Sequence, residues 1–316
     1  MADLLILGQV TVDHVVPAAP GPWQPSVGGN ALYAAAGARL WYEPGRVGVV
    51  TRLGRGLPVD VAGLLAGAGL PADGLARVES EPLVEWILYE EDGSRRALPR
   101  NAALRDTDAD PATLRRRYLA RLEALSPTPE DIPPGWLPAR AIHLAPQVAG
   151  RHRPSVERLR GQAPFLSVDP SPHYARELDA AGLARLLAGA RAFLPSRAEV
   201  EHLWTDGDWP ALAARLRAAG FAEVVLKLGG AGCLVSGPGD GPPTPIPAAR
   251  AAVADLTGAG DAFCGAYAAA RAVGLDPVEA GRRAVVAAAM VIECAGAPAA
   301  LALSPAEARR RLEARG

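Results

Sequence analysis

The chain has 316 residues, enough for one large domain or two small ones with a sizeable core. Hydrophobic residues make up 49% and charged residues 21%, a balance typical of globular proteins and not of disordered chains. The 33 basic and 34 acidic residues leave a formal net charge of −1, which gives no indication of binding to nucleic acid or to an anionic membrane.

The N-terminus has no basic region before its short apolar run, and no apolar segment reaches the length of a membrane span. Three cysteines lie far apart, without the close spacing of a metal or redox motif: Cys233, Cys264 and Cys294. They are expected to be small buried side chains in a reducing compartment. These features predict a soluble cytoplasmic protein.

Taken in chain order, short apolar runs alternate with helical patterns. In the first part of the chain the patterns predict strands at 4–9 and 46–54 and helices at 30–41 and 59–70. Further strands are predicted at 141–146, 164–170, 190–196 and 222–232. Helices are predicted between them, near 154–161, 177–188, 197–204 and 209–219, with a long helical tail after 258. This alternation predicts an α/β protein with a doubly wound, mostly parallel sheet flanked by helices.

One section departs from this alternation. Residues 83–100 alternate polar and apolar side chains around the turn sequence "EDGS", which predicts a β-hairpin. With a further strand at 10–16, the hairpin would form a small sheet that stands off the main one as a lid. Residues 105–140 are expected to form a surface helix and loops. The open edges of such a lid would allow a homodimer.

The most informative stretch is "ADLTGAGDAF" at 254–263. Gly258, Ala259 and Gly260 would allow the backbone to turn tightly at the start of a helix, where free N–H groups and the helix dipole attract anions. A carboxylate at Asp261 would then lie beside the anion, as a general base that takes the proton of an attacking hydroxyl. The alternative is an aspartate in a first turn that only stabilises its helix.

The pattern D-x-T-G-A-G-D before a helix of small residues resembles the C-terminal signature of the ribokinase-like (PfkB) carbohydrate kinase family. The resemblance implies a single kinase domain over 1–316 that transfers a phosphoryl group from ATP to a hydroxyl of a small sugar-like substrate, with Mg²⁺. It also implies that Asp261 is the catalytic base and that residues 258–260 form the anion hole. Asp255 and Thr257 would lie at a monovalent-cation (K⁺) site.

The resemblance extends to the N-terminal half. "LGQVTVDHV" resembles the first strand of the family with its sugar-binding aspartate, and "VGGNALYAAAGARL" resembles the Gly-Gly signature. The residues that this places at the substrate are Thr11, Asp13, Gly28, Gly29, Asn30 and Tyr33. From its position alone, Asn30 is equally well explained as a helix N-cap.

On the nucleotide side, "LPSRAEV" resembles the Asn-x-x-Glu motif, and "KLGGAG" resembles the loop that holds the nucleotide phosphates. Ser196, Lys227, Gly229 and Gly232 are predicted to bind nucleotide, and Glu199 to hold Mg²⁺ through water. Lys227 is the one lysine in the chain, and its compact charge suits a phosphate loop.

Four positions depart from the family pattern. Asn30, directly after the two glycines, stands where ribokinases often have Lys. Tyr33 and Ser196 stand where many members have Asn, and Ala145 stands where ribokinases carry a substrate-contacting Glu. The departures predict an acceptor other than ribose, with a nucleoside or an inositol-type polyol as alternatives, because Tyr33 would stack on a base or narrow the pocket. A catalytically silent ligand-binding regulator is a further alternative. A Rossmann dehydrogenase is poorly supported, because no G-x-G-x-x-G follows the first strand.

Overall fold

The computed structural model describes residues 1–16, 25–89, 95–98, 110–204, 208–239 and 241–315. The strands in these ranges are β1 (Leu4–Leu7), β2 (Thr11–Val16), β3 (Ser26–Gly28), β4 (Val47–Leu53), β5 (Leu75–Arg77), β6 (Leu83–Tyr89), β7 (Arg95–Leu98), β8 (Ala141–Leu144), β9 (Phe165–Val168), β10 (Ala192–Phe193), β11 (Glu223–Lys227), β12 (Cys233–Ser236) and β13 (Thr244–Ile246).

Helices connect most of the strands. They are α1 (Asn30–Arg39), α2 (Val61–Gly67), α3 (Pro111–Leu125), α4 (Ala149–Leu159), α5 (Pro172–Ala175), α6 (Ala180–Leu186), α7 (Arg197–Val200), α8 (Trp209–Ala218), α9 (Ala259–Ala272), α10 (Pro277–Val291), α11 (Gly296–Leu301) and α12 (Pro305–Glu313). Among the described residues, none of these helices is long and apolar enough to span a membrane.

The large sheet has the strand order β13-β12-β11-β10-β9-β8-β1-β4-β5. It is parallel from β5 to β11: on β1, Leu4 lies opposite Val47 on one side and Ala141 on the other. At one edge, β12 and β13 run antiparallel. The predicted doubly wound, mostly parallel sheet flanked by helices is therefore confirmed. The single strand predicted over 222–232 was too long, because β11 ends at Lys227 and the chain turns back into β12.

Both faces of the large sheet are buried, as the long apolar strands require. On one face, the alanine-rich helices α1 and α9 pack in one core with α10. On the other, the core contains side chains of α4, α6 and α8. Because α1 and α9 are rich in small residues, they pack closely, and the start of α9 lies against the N-terminal half of the chain.

A separate four-stranded sheet has the order β3-β2-β6-β7. β2 and β6 are parallel, and β6 and β7 form the predicted antiparallel hairpin, whose turn at 91–94 lies outside the described residues. The small sheet is the one expected from the alternating pattern. Its function as a lid and its use in a homodimer stay predictions.

Candidate active site

The parallel strands end at a common edge of the large sheet, where ligands of α/β proteins bind. Gln9 follows β1, Asp169 follows β9, and Lys227 closes β11. The loops that leave this edge bring together two sets of residues, one predicted to bind the acceptor substrate and the other predicted to bind the nucleotide.

The first part of the site is the anion loop, which we define as Gly258–Asp261. Gly258 is the N-cap of α9 and has a φ of 80°, a left-handed conformation that favours glycine. No acceptor among the described residues takes the backbone N–H of Gly258 or Gly260, while that of Ala259 has only a long bond of 3.4 Å to Leu256. The loop therefore presents free donors at the positive end of a helix.

Asp261 lies in the first turn of α9 and is half-buried. Its carboxylate is thus neither sealed in the core nor fully in water. A carboxylate next to free N–H donors at a helix N-terminus is the arrangement that the sequence predicted for a general base beside an anion.

Tyr33 supports the anion loop from below. Its side chain is 2% exposed, and a Cβ at Gly258 would overlap the phenol ring. The ring therefore has no open face in this structure on which a nucleobase would stack. Burial raises the pKa of the Tyr33 phenol well above its ordinary value, and the charges of Asp13, Asp255 and Asp261 raise it further. The charges of three carboxylates thus act on this phenol.

Asp13 and Thr11 lie together on β2. The Thr11 hydroxyl donates a hydrogen bond of 2.5 Å to Asp13 Oδ1, and both side chains are buried. The carboxylate fills the space where a Cβ of Gly28 would be, on the neighbouring strand β3. Asp13 and Gly28, both predicted to contact substrate, therefore lie in contact with each other.

Gly29 and Asn30 join this segment to the end of β1. Gly29 has a φ of 102° and is the N-cap of α1, so the interpretation of Asn30 as that N-cap is wrong. The Asn30 amide nitrogen donates to Gln9 Oε1 at 2.6 Å and to the Pro146 carbonyl at 3.0 Å, and Asn30 Oδ1 accepts from the Gln9 N–H at 2.7 Å. The amide thus ties together the loops after β1 and β8.

A cleft of about 550 Å³ opens next to the anion loop, and Ala259 and Gly260 are part of its lining. We call it the donor cleft, because the residues predicted to bind the phosphoryl donor line it. Its polar part consists of residues predicted to bind nucleotide, together with the loop itself: Ser196, Lys227, Gly229, Gly232, Ala259 and Gly260. Its apolar part consists of side chains that include Val253, Leu256, Phe263, Val285 and Ile292. A lining with polar and apolar parts is what the phosphates and the base of a nucleotide require.

Glu199 lies in the first turn of α7, next to Ser196 of the donor cleft lining. Its Oε2 accepts the Ser196 N–H at 2.6 Å, and burial, followed by the charge of Asp169, raises the pKa of Glu199 to about 7. In the described part of the chain no three acidic, His or Cys side chains form a metal cluster. Mg²⁺ in kinases is held by one or two carboxylates, waters and substrate phosphates, so a single carboxylate here fits that ion.

Asp255 and Thr257 precede the anion loop and are both buried. Asp255 Oδ1 accepts the Thr257 N–H at 2.8 Å, and the Ala254 and Asp255 N–H groups bond the Ile292 carbonyl. These bonds hold the segment before α9 against the end of α10. The monovalent-cation site at these residues stays a prediction.

The sequence reasoning missed one residue of the site, Asp169. Its carboxylate lies 2.5 Å from Lys227 Nζ, across 58 positions of the chain. The signal was its place near the end of the strand predicted at 164–170, in "SVDPSP", because sites form at the edge where parallel strands end. Spacing alone did not show that Lys227 would be its partner.

With this geometry in place, comparison with known proteins identifies the family. Residues 8–302 match the model of the pfkB family of carbohydrate kinases. The chain therefore belongs to this family of carbohydrate kinases, which are phosphotransferases that act on a hydroxyl group.

Two relatives show how far the similarity of this chain to other kinases extends. The chain is 26% identical to a cytidine kinase of Thermococcus kodakarensis over 84% of this chain and 87% of the relative. It is 35% identical to an uncharacterized sugar kinase of Archaeoglobus fulgidus over 45% of this chain, a match that spans 56% of that relative.

Solved structures show the same fold at lower identity. Ribokinase of Arabidopsis thaliana, complexed with ribose and ATP, has a TM-score of 0.68 at 22% identity and covers 99% of each chain. An Escherichia coli protein described as a ribokinase II, in complex with ATP and Mg²⁺, has a TM-score of 0.70 at 18% identity and covers 99% of this chain and 100% of its own.

Proposed function

We propose that this protein transfers the γ-phosphoryl group of ATP to a hydroxyl of a neutral sugar, polyol or nucleoside, with Asp261 as the general base. The observation that carries the proposal is the half-buried Asp261 in the first turn of α9, where the N–H groups of Gly258 and Gly260 have no acceptor among the described residues and Gly260 lines the donor cleft. The family and the relatives that use ATP support the choice of donor.

In this mechanism the acceptor oxygen attacks the γ-phosphorus while its proton passes to the Asp261 carboxylate. The bond between the γ-phosphorus and the bridging oxygen breaks, and its electron pair leaves with ADP. The Gly258 and Gly260 N–H groups donate to the phosphoryl oxygens, where negative charge collects. Mg²⁺ would neutralise charge on the donor phosphates, with Glu199 as its holder through water.

A neutral acceptor is favoured by charge. The charges of Asp13, Asp255 and Asp261 all raise the pKa of the Tyr33 phenol, so an acceptor on this side of the site would lie near carboxylates. A sugar acid would bring a further negative charge close to them, and like charges at such distances repel. The hydroxyls of a neutral acceptor would instead donate hydrogen bonds to these carboxylates.

A panel of acceptors tests the function. Sugars, polyols and nucleosides are each supplied with ATP and Mg²⁺, together with the sugar acid 2-dehydro-3-deoxygluconate. We expect one neutral acceptor to have a kcat/KM at least about tenfold above that of the acid, since one repelled charge costs about 1.4 kcal/mol or more. ADP release is measured, and mass spectrometry confirms the phosphorylated product.

The control is the Asp261→Asn variant, whose rate of ADP release should be about 10²–10⁴-fold lower than that of the wild type. Turnover of the acid alone would contradict the preference for neutral acceptors. A panel without any phosphorylated product would favour the alternative of a ligand-binding regulator that has kept the fold.

The donor cleft makes a second prediction, on nucleotide selectivity. Val253 and Leu256 belong to the apolar part of its lining and are 59% and 36% exposed, so a bound base would cover their side chains. Two polar side chains near this part of the cleft already form hydrogen bonds within the protein. Arg315 donates to the Pro247 and Ala248 carbonyls, and Glu293 accepts the Ala252 N–H. Apolar contact covers the faces of a base but does not read its hydrogen-bonding edge.

We therefore expect kcat/KM for GTP and ITP to lie within about tenfold of the value for ATP, measured by steady-state kinetics with a single acceptor. Val253→Ser should raise KM for all three nucleotides several-fold without changing kcat. Val59→Ser, at another exposed valine outside the cleft, serves as the matched control. A preference for ATP above about a hundredfold would mean that groups in the cleft do read the base.

A further inference from the structure

Lys227, in the polar part of the donor cleft lining, belongs to a buried charge pair that the mechanism above does not use. Lys227 is 9% exposed and Asp169 is 2% exposed, and Lys227 Nζ lies 2.5 Å from Asp169 Oδ2. The Cys264 thiol lies 3.4 Å from the same ammonium and 3.3 Å from the same carboxylate oxygen. The three residues come from β11, the end of β9 and α9.

The ammonium lies directly next to the anion loop. A Cβ placed on Gly260 would be 3.6 Å from Lys227 Nζ, and Lys227 lines the donor cleft together with Gly260 and Ala259. An ammonium has three N–H donors, of which the Asp169 carboxylate takes one and the thiol offers only a weak acceptor. The Lys227 ammonium therefore still has an N–H group that can donate a hydrogen bond to an anion held by the anion loop.

The surrounding groups keep this ammonium charged. Burial alone would lower the pKa of Lys227, but Asp169, Cys264 and Glu199 raise it above its ordinary value. Among the other described titratable groups, Asp261 raises the pKa of Asp169 by its charge, and burial followed by the charge of Lys227 lowers the pKa of His143. Burial, followed by the charges of Glu199 and Asp169, raises the pKa of Tyr174. The charges of three carboxylates, those of Asp169, Glu199 and Asp261, thus act on the groups of this pair.

A purely structural role explains this pair poorly. The free-energy cost of removing two ions from water can exceed the free energy of their attraction. A buried ion pair is therefore weak evidence that the pair stabilises the fold. Asp169 Oδ1 is moreover buried without a hydrogen-bond partner in the described ranges, a further cost in stability. Such costs are common at sites where a charge has to be held in one place for catalysis.

Resting on the proposed function, we propose that Lys227 stabilises the negative charge of the transferred phosphoryl group, and that Asp169 is a positioning residue that holds the Lys227 ammonium against the anion loop. A lysine side chain has four flexible bonds, so a free ammonium would sample many positions. A fixed ammonium needs no reorganisation when charge develops in the transition state.

The test is a double-mutant cycle of kcat with Lys227→Met, Asp169→Asn and the combined variant. We expect kcat to fall about 10²–10³-fold in Lys227→Met and about 10–100-fold in Asp169→Asn, with KM for the acceptor within about twofold of wild type. In the Lys227→Met background, Asp169→Asn should cause no further loss, because it acts through the ammonium.

Glu223→Gln is the matched control. Glu223 begins the strand that Lys227 ends, and it forms another buried ion pair, with Arg271 at 2.7 Å. This variant should unfold at a lower temperature and keep kcat within about twofold of wild type, because its pair is remote from the cleft. If Lys227→Met leaves an unpaired carboxylate and does not fold, the combined neutral variant replaces it and should show the same loss of kcat.

Binding of inorganic phosphate, measured by calorimetry, is a second readout that needs no acceptor. Its affinity should fall at least about tenfold in Lys227→Met and in the combined variant. Unchanged kcat or unchanged phosphate affinity in these variants, or losses that add fully in the cycle, would overturn the inference. A wild-type protein that phosphorylates nothing in the acceptor panel would instead overturn the proposed function, and the phosphate measurement would still decide the role of Lys227.

Discussion

Asp261→Asn is expected to lower kcat by about 10²–10⁴-fold, the usual contribution of a positioned general base. Asparagine has the shape of aspartate but does not accept a proton, so the acceptor hydroxyl would have to lose its proton to water. The binding of ATP does not use this proton transfer. The dissociation constant of ATP, measured by calorimetry, should therefore stay within about threefold of wild type.

The control for this prediction is Asp276→Asn, at the N-terminus of the next helix. Asp276 is the N-cap of α10 and accepts the Val278 and Glu279 N–H groups at 2.9 and 3.0 Å. Asparagine caps helices about as well as aspartate, so this variant should keep both its stability and its kcat. An Asp261→Asn enzyme as fast as the Asp276→Asn enzyme would rule out Asp261 as the base.

Gly258→Ala is expected to have the second largest effect, a fall in kcat of about 10²–10³-fold, as when a donor to a developing anion is lost. The new Cβ would overlap the Tyr33 ring, and the φ of 80° disfavours any side chain. The loop must then move away from Tyr33, and its N–H groups lose their common direction. The free energy of unfolding should also fall, by about 1–3 kcal/mol.

Gly274→Ala separates the loss of activity from the cost of backbone strain. Gly274 lies just beyond the C-terminus of the same helix with a φ of 85°, and a Cβ there would have nothing within 4 Å. This variant should lose about 1–2 kcal/mol of stability, measured by urea unfolding, and keep its kcat. Equal kcat values in the two glycine variants would mean that the anion loop does not hold the phosphoryl group.

Most of the fold could be predicted because the strands of a parallel sheet are apolar throughout and alternate with helices. The strands that the sequence pattern missed are short or lie at sheet edges: β3, β5, β12 and β13. Three of them, β3, β5 and β13, have only three residues each, too few to show a periodicity. The return of the chain after Lys227 depends on Gly232, where a Cβ would overlap the backbone of Ile246 on β13.

The candidate site was predictable to different degrees on its two sides. The anion loop is contiguous in sequence, so its glycines and the helix behind it already define its geometry. The acceptor side is not: Asn30, predicted to contact substrate, uses its amide on Gln9 and on the Pro146 carbonyl, 116 positions away. Tyr33, also predicted there, lies with its ring beneath Gly258.

The amino-acid sequence alone determined the layered α/β architecture, the family resemblance and the loop that presents free N–H donors beside Asp261. These features depend on the preferences of neighbouring residues, which act within a few positions of the chain. Tertiary structure decided which side chains interact: the Lys227 ammonium with Asp169, and the charges of three carboxylates with the Tyr33 phenol. Such interactions join distant segments whose order at the sheet edge is set by packing, and charges interact through space whatever their separation along the chain.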